Sequence, residues 1–492
     1  MAYDRNYLPS DAVYPLVYGN EEETGLLDNF CGQMEEPYQL AEDLEFFIPK
    51  GLQFAAAGWL IYLQNGAKIY AGGAGGITEP TNIERATPEC RTPAQLATYI
   101  RAGELLLIDT VQHFLNVNSQ DSTRPLTARI QRRVVDSAGS RKGCHDNFGV
   151  DEHSILGKAT DLPEQMLAHL ATRSFVTGAG YAHQYGPQYA QKIGGLELVR
   201  GYGYVGTMYR MAPTEGTPRI EVRCNDINIS DWATRVRLGS TAIAIALNQT
   251  PLRNKLPGIS EHDALIQARQ MNVMELNKNG TITKTNELES AVAFQQAQAE
   301  LLLTDLEKYT DELPSSLSRV AREVIGYCED FTSVMNNEAT IAILADRADW
   351  AAKFLGILDR LQADEANGIN RDLYDVQAQA GDLQYDYMRL TASSGRPGRV
   401  VQGLGYRLRD RGRFRGHTTT VDDLNLAYLQ PPRDTRAALR VKLIAYSEVV
   451  NCDWHLVTLE NEGARETFRF ADVRQTELSE YDQNRLKQFK IR

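Results

Sequence analysis

Near residue 286 the chain changes its hydrophobic period, and that change limits the folds open to it. Up to about residue 260, short apolar runs alternate with Gly, Pro, Asn and Asp, the pattern of strands and loops with helices interspersed. Between 286 and 365, "NELESAVAFQQAQAELLLTDLEKY", "LSRVAREVIGYCEDFTSVM" and "EATIAILADRADWAAKFLGILDRLQAD" place Leu, Ile and Val on one helical face and charges on the other. These three helices are expected to pack on the sheet made by the earlier strands. Within the first part, residues 94–115 repeat apolar positions three and four apart and predict a helix. Residues 217–230 ("TPRIEVRCNDINIS") predict a strand running into a polar loop, and 231–249 a buried helix behind it. After the proline pair of "PPRDTRAALR" (431–440), the last fifty residues predict a small module of strands and a helix.

Composition removes several classes of function. With 52 Lys plus Arg against 64 Asp plus Glu the net charge is −12, which argues against a general nucleic-acid binder. Six cysteines lie far apart with no CxxC pair, so neither a zinc knuckle nor a disulfide framework is expected. The N-terminal residues lack a basic and then apolar leader pattern, and no apolar run approaches a membrane span. A cytoplasmic, non-membrane protein is the expectation. At 492 residues with 42% hydrophobic content, there is material for a large core and a smaller second domain.

Four stretches carry candidate chemistry. In "YGNEEETG" (18–25), a strand would point Glu21 and Glu23 the same way, and paired carboxylates repel unless a hard cation such as Mg²⁺ neutralises them. A solvated acidic turn is the bland alternative. The stretch 65–90 offers Lys68, Tyr70, Glu79, Glu84, Thr87 and Glu89 around a glycine run. "GCHDNF" (143–148) offers His145, Asp146 and Asn147, and "RIEVRCNDIN" (219–228) offers Arg219, Asn225, Asp226 and Asn228. So many polar groups on a core-facing strand suggest a ligand that satisfies them. Carboxylates near three strand ends, with a cation nearby, point to a phosphoryl or acyl-phosphate reaction, yet no GxxxxGK[ST] or kinase signature is present. In 393–416, alternate arginines (Arg407, Arg409, Arg411, Arg413, Arg415) would line one face of an extended loop or edge hairpin. Such a face is either simply solvated or a dock for an acidic partner or phosphate.

In order along the chain, these motifs resemble the Pup ligase family, whose branches are a ligase of the small protein Pup and a deamidase and depupylase of Pup. "GNEEETG" resembles G-I-E-T-E-[FY]-G, "NGAKIY" resembles N-G-A-R-L-Y, and "NIERATPEC" resembles H-P-E-Y-[AS]-T-x-E-C. "RAGELLL", "GCHDNF", "TRSFVTGAG", "DLQYDYMRL", "PPRDTRAALR" and "CDWHLVTL" also have counterparts. The resemblance implies an α+β, glutamine-synthetase-like fold: a curved antiparallel sheet backed by helices (1–418) plus a small C-terminal domain (419–492). It implies ATP and Mg²⁺ as cofactors. The partners would be a small acidic Pup-like protein or peptide, with its side-chain carboxylate activated as an acyl phosphate, and an amine acceptor such as lysine. Residue by residue, Glu21, Tyr70 and Glu84 match metal positions, with Glu23 beside them. Lys68, Thr87 and Trp454 match nucleotide contacts, and Arg219 falls on a family motif and is placed with them. Lys68 stands where the family has arginine, keeping the charge but losing the bidentate fork.

One departure bears on catalysis. The family aspartate two residues after the tyrosine, its base or nucleophile, is replaced by Gly72, and the following segment is longer. Three readings stay open. Glu79 supplies the missing carboxylate; or amine attack proceeds without that base, at a cost on the order of 10²-fold or more; or the chain binds nucleotide without the parent reaction. The glycine run also has the makings of a lid over phosphates. The short interval between Glu21 and Asn65 resembles the ligase branch, and losing the aspartate should harm water activation more than amine attack. "TRSFVTGAG" is slightly nearer the deamidase form.

Overall fold

A computed structural model describes residues 10–28, 54–57, 60–71, 81–118, 128–132, 142–183, 186–192, 209–212, 217–369, 389–393, 400–416, 419–446, 449–461 and 464–489. Eleven described strands form one antiparallel sheet. The first seven are β1 (Val17–Asp28), β2 (Phe54–Ala57), β3 (Leu60–Leu63), β4 (Lys68–Ala71), β5 (Thr81–Ala86), β6 (Ala128–Gln131) and β7 (Cys144–Gly149). They are followed by β8 (Tyr209–Ala212), β9 (Arg219–Val222), β10 (Arg389–Ser393) and β11 (Val400–Val401). Their order is β8-β9-β7-β1-β5-β4-β3-β2, while β6 pairs with β1 and β10, and β10 with β11. β1 is the spine: its first half pairs with β7 and its second half with β6 on one side, and β5 runs along the other.

Because strand side chains alternate between faces, β1 sorts its glutamates. Glu22 points to the helical side, where it is almost fully buried. There Arg132 donates to both its oxygens (2.9 and 2.7 Å) and Arg85 donates at 2.8 Å. Helix α1 (Pro93–Asn118) covers this ion cluster, and the missing side chain of Gly103 makes the room: a Cβ there would lie 1.6 Å from Arg85 Nη1. Arg132 continues the chain of charges to Glu104 on α1, and Arg409 reaches Glu104 at 2.7 Å.

Helix α2 (Glu164–Thr172) and the wholly buried α3 (Asp231–Asn248) form the next layer. The Ser230 side chain caps α3 by accepting from the Ala233 N–H. Arg237 of α3 donates to Asp146 of β7 at 2.8 Å and ties this helix to the sheet. The three predicted amphipathic helices appear as α4 (Asn286–Thr304), α5 (Ser315–Met335) and α6 (Asp349–Ala366). Contrary to expectation, α4 and α5 make their main contacts with each other and with α3, the helix that Arg237 ties to the sheet. No described helix is long and apolar enough to cross a membrane.

The arginine strip is not extended. Residues Leu404–Asp410 form a short helix, α7, whose period of 3.6 scatters the alternate arginines. Arg409 is buried against Tyr406 and Glu104, Arg407, Arg411 and Arg413 are exposed, and Arg415 pairs with Asp346. Helix α8 (Val421–Leu429) packs back on α1. The chain then builds the small module: α9 (Arg436–Ile444), the sheet β12 (Val449–Asp453), β13 (Leu456–Asn461) and β14 (Ala464–Arg469), and α10 (Glu480–Leu486). It has its own apolar cluster, which Tyr62 of β3 joins. The five described cysteines are free and buried.

Candidate active site

On the face of the sheet opposite the ion cluster lies a cavity of about 560 Å³, closed on one side by the small module through Asp453 and Trp454. Register explains what lines it. Glu21 stands across from Ala86 of β5 and His145 of β7, and Glu23 across from Glu84, which is itself across from Tyr70 of β4. Cross-strand partners share a face, so these strands deliver their functional side chains to one side. The missing side chain of Gly143 leaves space for two of them, since a Cβ there would sit 2.6 Å from both Glu23 Oε1 and His145 Nε2.

Glu21, Lys68, Glu84, Thr87, Arg219 and Trp454 all line the cavity. Glu23 and Tyr70 lie on the same face beside it, through their register with Glu84. Glu79 and Gly72 lie outside the described residues. Two of the candidate triplet in "GCHDNF" reach the cavity, His145 and Asn147. Asp146 does not: it alternates to the back face and pairs with Arg237. The polar run 225–228 also turns out to need no ligand. Asp226 accepts from the backbone N–H groups of Ala179, Gln191 and Lys192, each at 2.8 Å, Arg173 donates to Asn225, and Asn228 lies between Arg237 and Asp349. "TRSFVTGAG" belongs to this buried scaffold, not to the cavity wall.

The electrostatics separate two corners. At the first, burial and then the charges of Glu23 and Glu21 push the Glu84 carboxyl up to about 8. Three acidic side chains therefore share this face and feel one another's charge, and their oxygen donors suit a hard divalent cation such as Mg²⁺. Burial opposes ionisation of Glu21 as well, but the hydrogen bond and charge of His145, with Lys68 and Arg219, hold its carboxyl below the ordinary value. At the second corner His145 Nδ1 lies 3.1 Å from Glu21 Oε2 and 3.5 Å from Glu221 Oε1. Together these residues bring three potential ligand atoms within 4.8 Å of one another. Glu221, however, already accepts from Arg219 at 3.3 Å and Arg223 at 2.8 Å, so this corner is neutralised by guanidinium groups. Glu221 and Arg223 were missed in the sequence, although "RIEVR" carries Arg, Glu and Arg at the alternate positions that share a strand face.

The far wall is aromatic and cationic. Lys68 Nζ lies 4.8 Å from the Tyr70 ring centroid and 4.9 Å from that of Trp454. Thr87 Oγ1 accepts from the Asn20 N–H at 3.0 Å, fixing the end of β5 to β1.

A family model described as Pup-ligase protein matches residues 20–196 and 210–458. The chain belongs to the Pup-ligase family. The Pup--protein ligase of Bifidobacterium longum subsp. infantis is 26% identical over 441 residues, covering 86% of this chain and 85% of that one. That of Acidimicrobium ferrooxidans is 25% identical over 476 residues, covering 91% and 94%. Among solved structures, the complex of prokaryotic ubiquitin-like protein Pup with its ligase PafA superposes with a TM-score of 0.71 at 20% identity, over 96% of this chain and 92% of that one. PafA in complex with ADP gives a TM-score of 0.66 at 20% identity, over 86% and 89%. This Pup-ligase family member thus has the expected α+β architecture, an antiparallel sheet backed by helices with a small C-terminal module, and shares that fold with PafA.

Proposed function

We propose that this Pup-ligase family member is an ATP- and Mg²⁺-dependent ligase that joins the side-chain carboxylate of a small Pup-like protein to an amine such as lysine. The observation that carries the reading is the convergence of Glu21, Glu23 and Glu84 on one sheet face, where Glu84 is left in need of a cation, in a chain matched almost throughout by the family model.

In this reading Lys68, Thr87 and Trp454 would hold the nucleotide, Trp454 offering an aromatic face, Lys68 positive charge and Thr87 a hydroxyl. Glu21, Glu23, Glu84 and Tyr70 would hold Mg²⁺, which when bound offsets phosphate charge and favours nucleophilic attack on the terminal phosphorus. A modifier carboxylate oxygen attacks that phosphorus as its bond to the ADP oxygen breaks; the amine nitrogen then attacks the acyl carbon, the acyl C–O bond breaks, and phosphate leaves with its electron pair. Arg219, which lines the same cavity close enough to influence Glu21 and Lys68, supplies positive charge for the anionic species formed. The proton lost by the amine is assigned to Glu79 in place of the carboxylate absent at Gly72. A cytoplasmic setting fits the buried free thiols.

Incubation with ATP, Mg²⁺, a Pup bearing a C-terminal glutamate and a lysine-containing acceptor should release ADP and phosphate in step with a mass increase on the acceptor. Isopeptide formation without ADP release, or neither product with any acceptor, would overturn the reading.

A further inference from the structure

The nucleotide wall is assembled from three separate pieces of chain, and one buried guanidinium touches all three. Arg440, on α9 of the small module, is fully buried. Its Nη2 donates to Glu89 Oε2 at 2.9 Å and to the Gly66 carbonyl at 3.0 Å, and its Nη1 donates to the Trp454 carbonyl at 3.0 Å and to Glu89 Oε1 at 3.3 Å. Gly66 turns β3 into β4 two residues before Lys68, Glu89 follows Thr87 by two residues, and Trp454 sits between β12 and β13. The Arg440 Cζ also lies 4.8 Å from the Trp454 ring centroid.

Neighbouring groups close the same joint. Arg436 donates from Nε to Glu89 Oε1 at 2.9 Å and from Nη1 to the Ala471 carbonyl at 3.1 Å, and the Thr435 hydroxyl donates to the Glu89 carbonyl at 2.9 Å. Gly66 has φ +79°, and a Cβ there would press to 3.2 Å on Ala437 and Pro88, so glycine alone lets the turn close on α9. Burial alone would raise the Glu89 carboxyl, but Arg440 and Arg436 hold it down to about 2. A carboxylate inside a bidentate fork is geometrically exacting, because both partners are planar and a lysine offers only a point charge. Glu89 and Arg436 face the cavity, but the groups that would contact a ligand are already committed to each other.

We propose that Glu89, Arg436 and Arg440 form a positioning clamp that sets Trp454 against Lys68 and Thr87, so that nucleotide affinity, and not the chemical step, depends on it. The proposal rests on the nucleotide reading of this cavity. Arg440→Lys keeps a cation and loses the fork. Calorimetric titration of the full-length variant with ADP should give about tenfold weaker binding, as expected when a supporting partner of a binding group is lost. KM for ATP should rise in step, and kcat at saturating ATP should stay within about twofold. Arg436→Lys leaves the four Arg440 bonds in place and should move ADP binding in the same direction by less. It carries the test if Arg440→Lys does not fold. Unchanged ADP affinity in the folded variants, or activity lost only in proportion to folded protein with KM unchanged, overturns the clamp. Trp454→Ala separates the two levels. If it weakens ADP binding while the lysine variants do not, the nucleotide site stands and the clamp falls; if none of the three changes ADP binding, the nucleotide reading itself falls.

Discussion

The two faces of β1 handle the same residue type in opposite ways. Behind the sheet, Glu22 is held by Arg85 and Arg132, Glu104 by Arg132 and Arg409, and Asp146 by Arg237. In front, one residue to either side of Glu22, Glu21 and Glu23 share their surroundings with Glu84, and burial with mutual repulsion leaves Glu84 poorly ionised. The back face is a closed set of charges that fixes strands to helices. The front face is incomplete as the protein stands alone, which is what a site for a cationic ligand requires.

The largest expected effect comes from opening the closed face. Glu22→Ala leaves two buried guanidiniums short of a partner and should destabilise the fold by about 3–5 kcal/mol in urea unfolding. A parental unfolding midpoint would show that the arginines find compensation elsewhere, and the contrast between faces would lose its force. Next comes Glu21→Ala on the open face, which should leave the midpoint near the parent's while weakening Mg²⁺-ATP binding on the order of 10²-fold. Equal affinity in variant and parent would remove Glu21 from the cation site.

A subtler difference lies in pH. In the folded protein Glu84 titrates near 8, against an ordinary 4.5. Between those values the native state keeps a proton that the unfolded chain has released, so metal-free stability should fall as pH rises across that window. Glu84→Gln cannot titrate and should flatten the slope, and in the parent Mg²⁺ affinity should increase through the same interval as the proton is displaced. Thermal midpoints measured with and without Mg²⁺ from pH 5 to 8.5 check both. A parental slope in the glutamine variant would locate the proton on another group.

How much of this was legible follows from the range of the interactions. The convergence of Glu21, Glu23, Tyr70 and Glu84 could be read because strand alternation is local and the motif order marked the strands. The same alternation would also have flagged Glu221. It misled where charge patterns alone were available: five alternate arginines fit a strand, but the segment is a helix, and nothing local separates buried Arg409 from its exposed neighbours. Nor could the sequence show that Asp226 is satisfied by backbone amides 34 to 47 residues away. The joint between Glu89 and Arg436 or Arg440 spans 347 and 351 residues, and its partners become visible only once the small module is docked.

The smallest effect belongs to the exposed remnant of the arginine strip. Arg409 works for the closed face and should be counted with Glu22: its loss strands Glu104 beside Arg132. Arg407, Arg411 and Arg413 lie outside that set, although Arg407 donates to the Gln402 carbonyl at 2.7 Å, and replacing all three by serine should move the thermal midpoint far less than Glu22→Ala does. If they attract an acidic modifier, they do so across water, where a Debye length of about 8–10 Å applies near physiological salt. The triple variant should then weaken modifier capture by about threefold at low salt, with the difference vanishing at about 0.5 M. A loss that persists at high salt would mean that these side chains make close contacts, and that the incomplete charge of the front face extends around the sheet to α7.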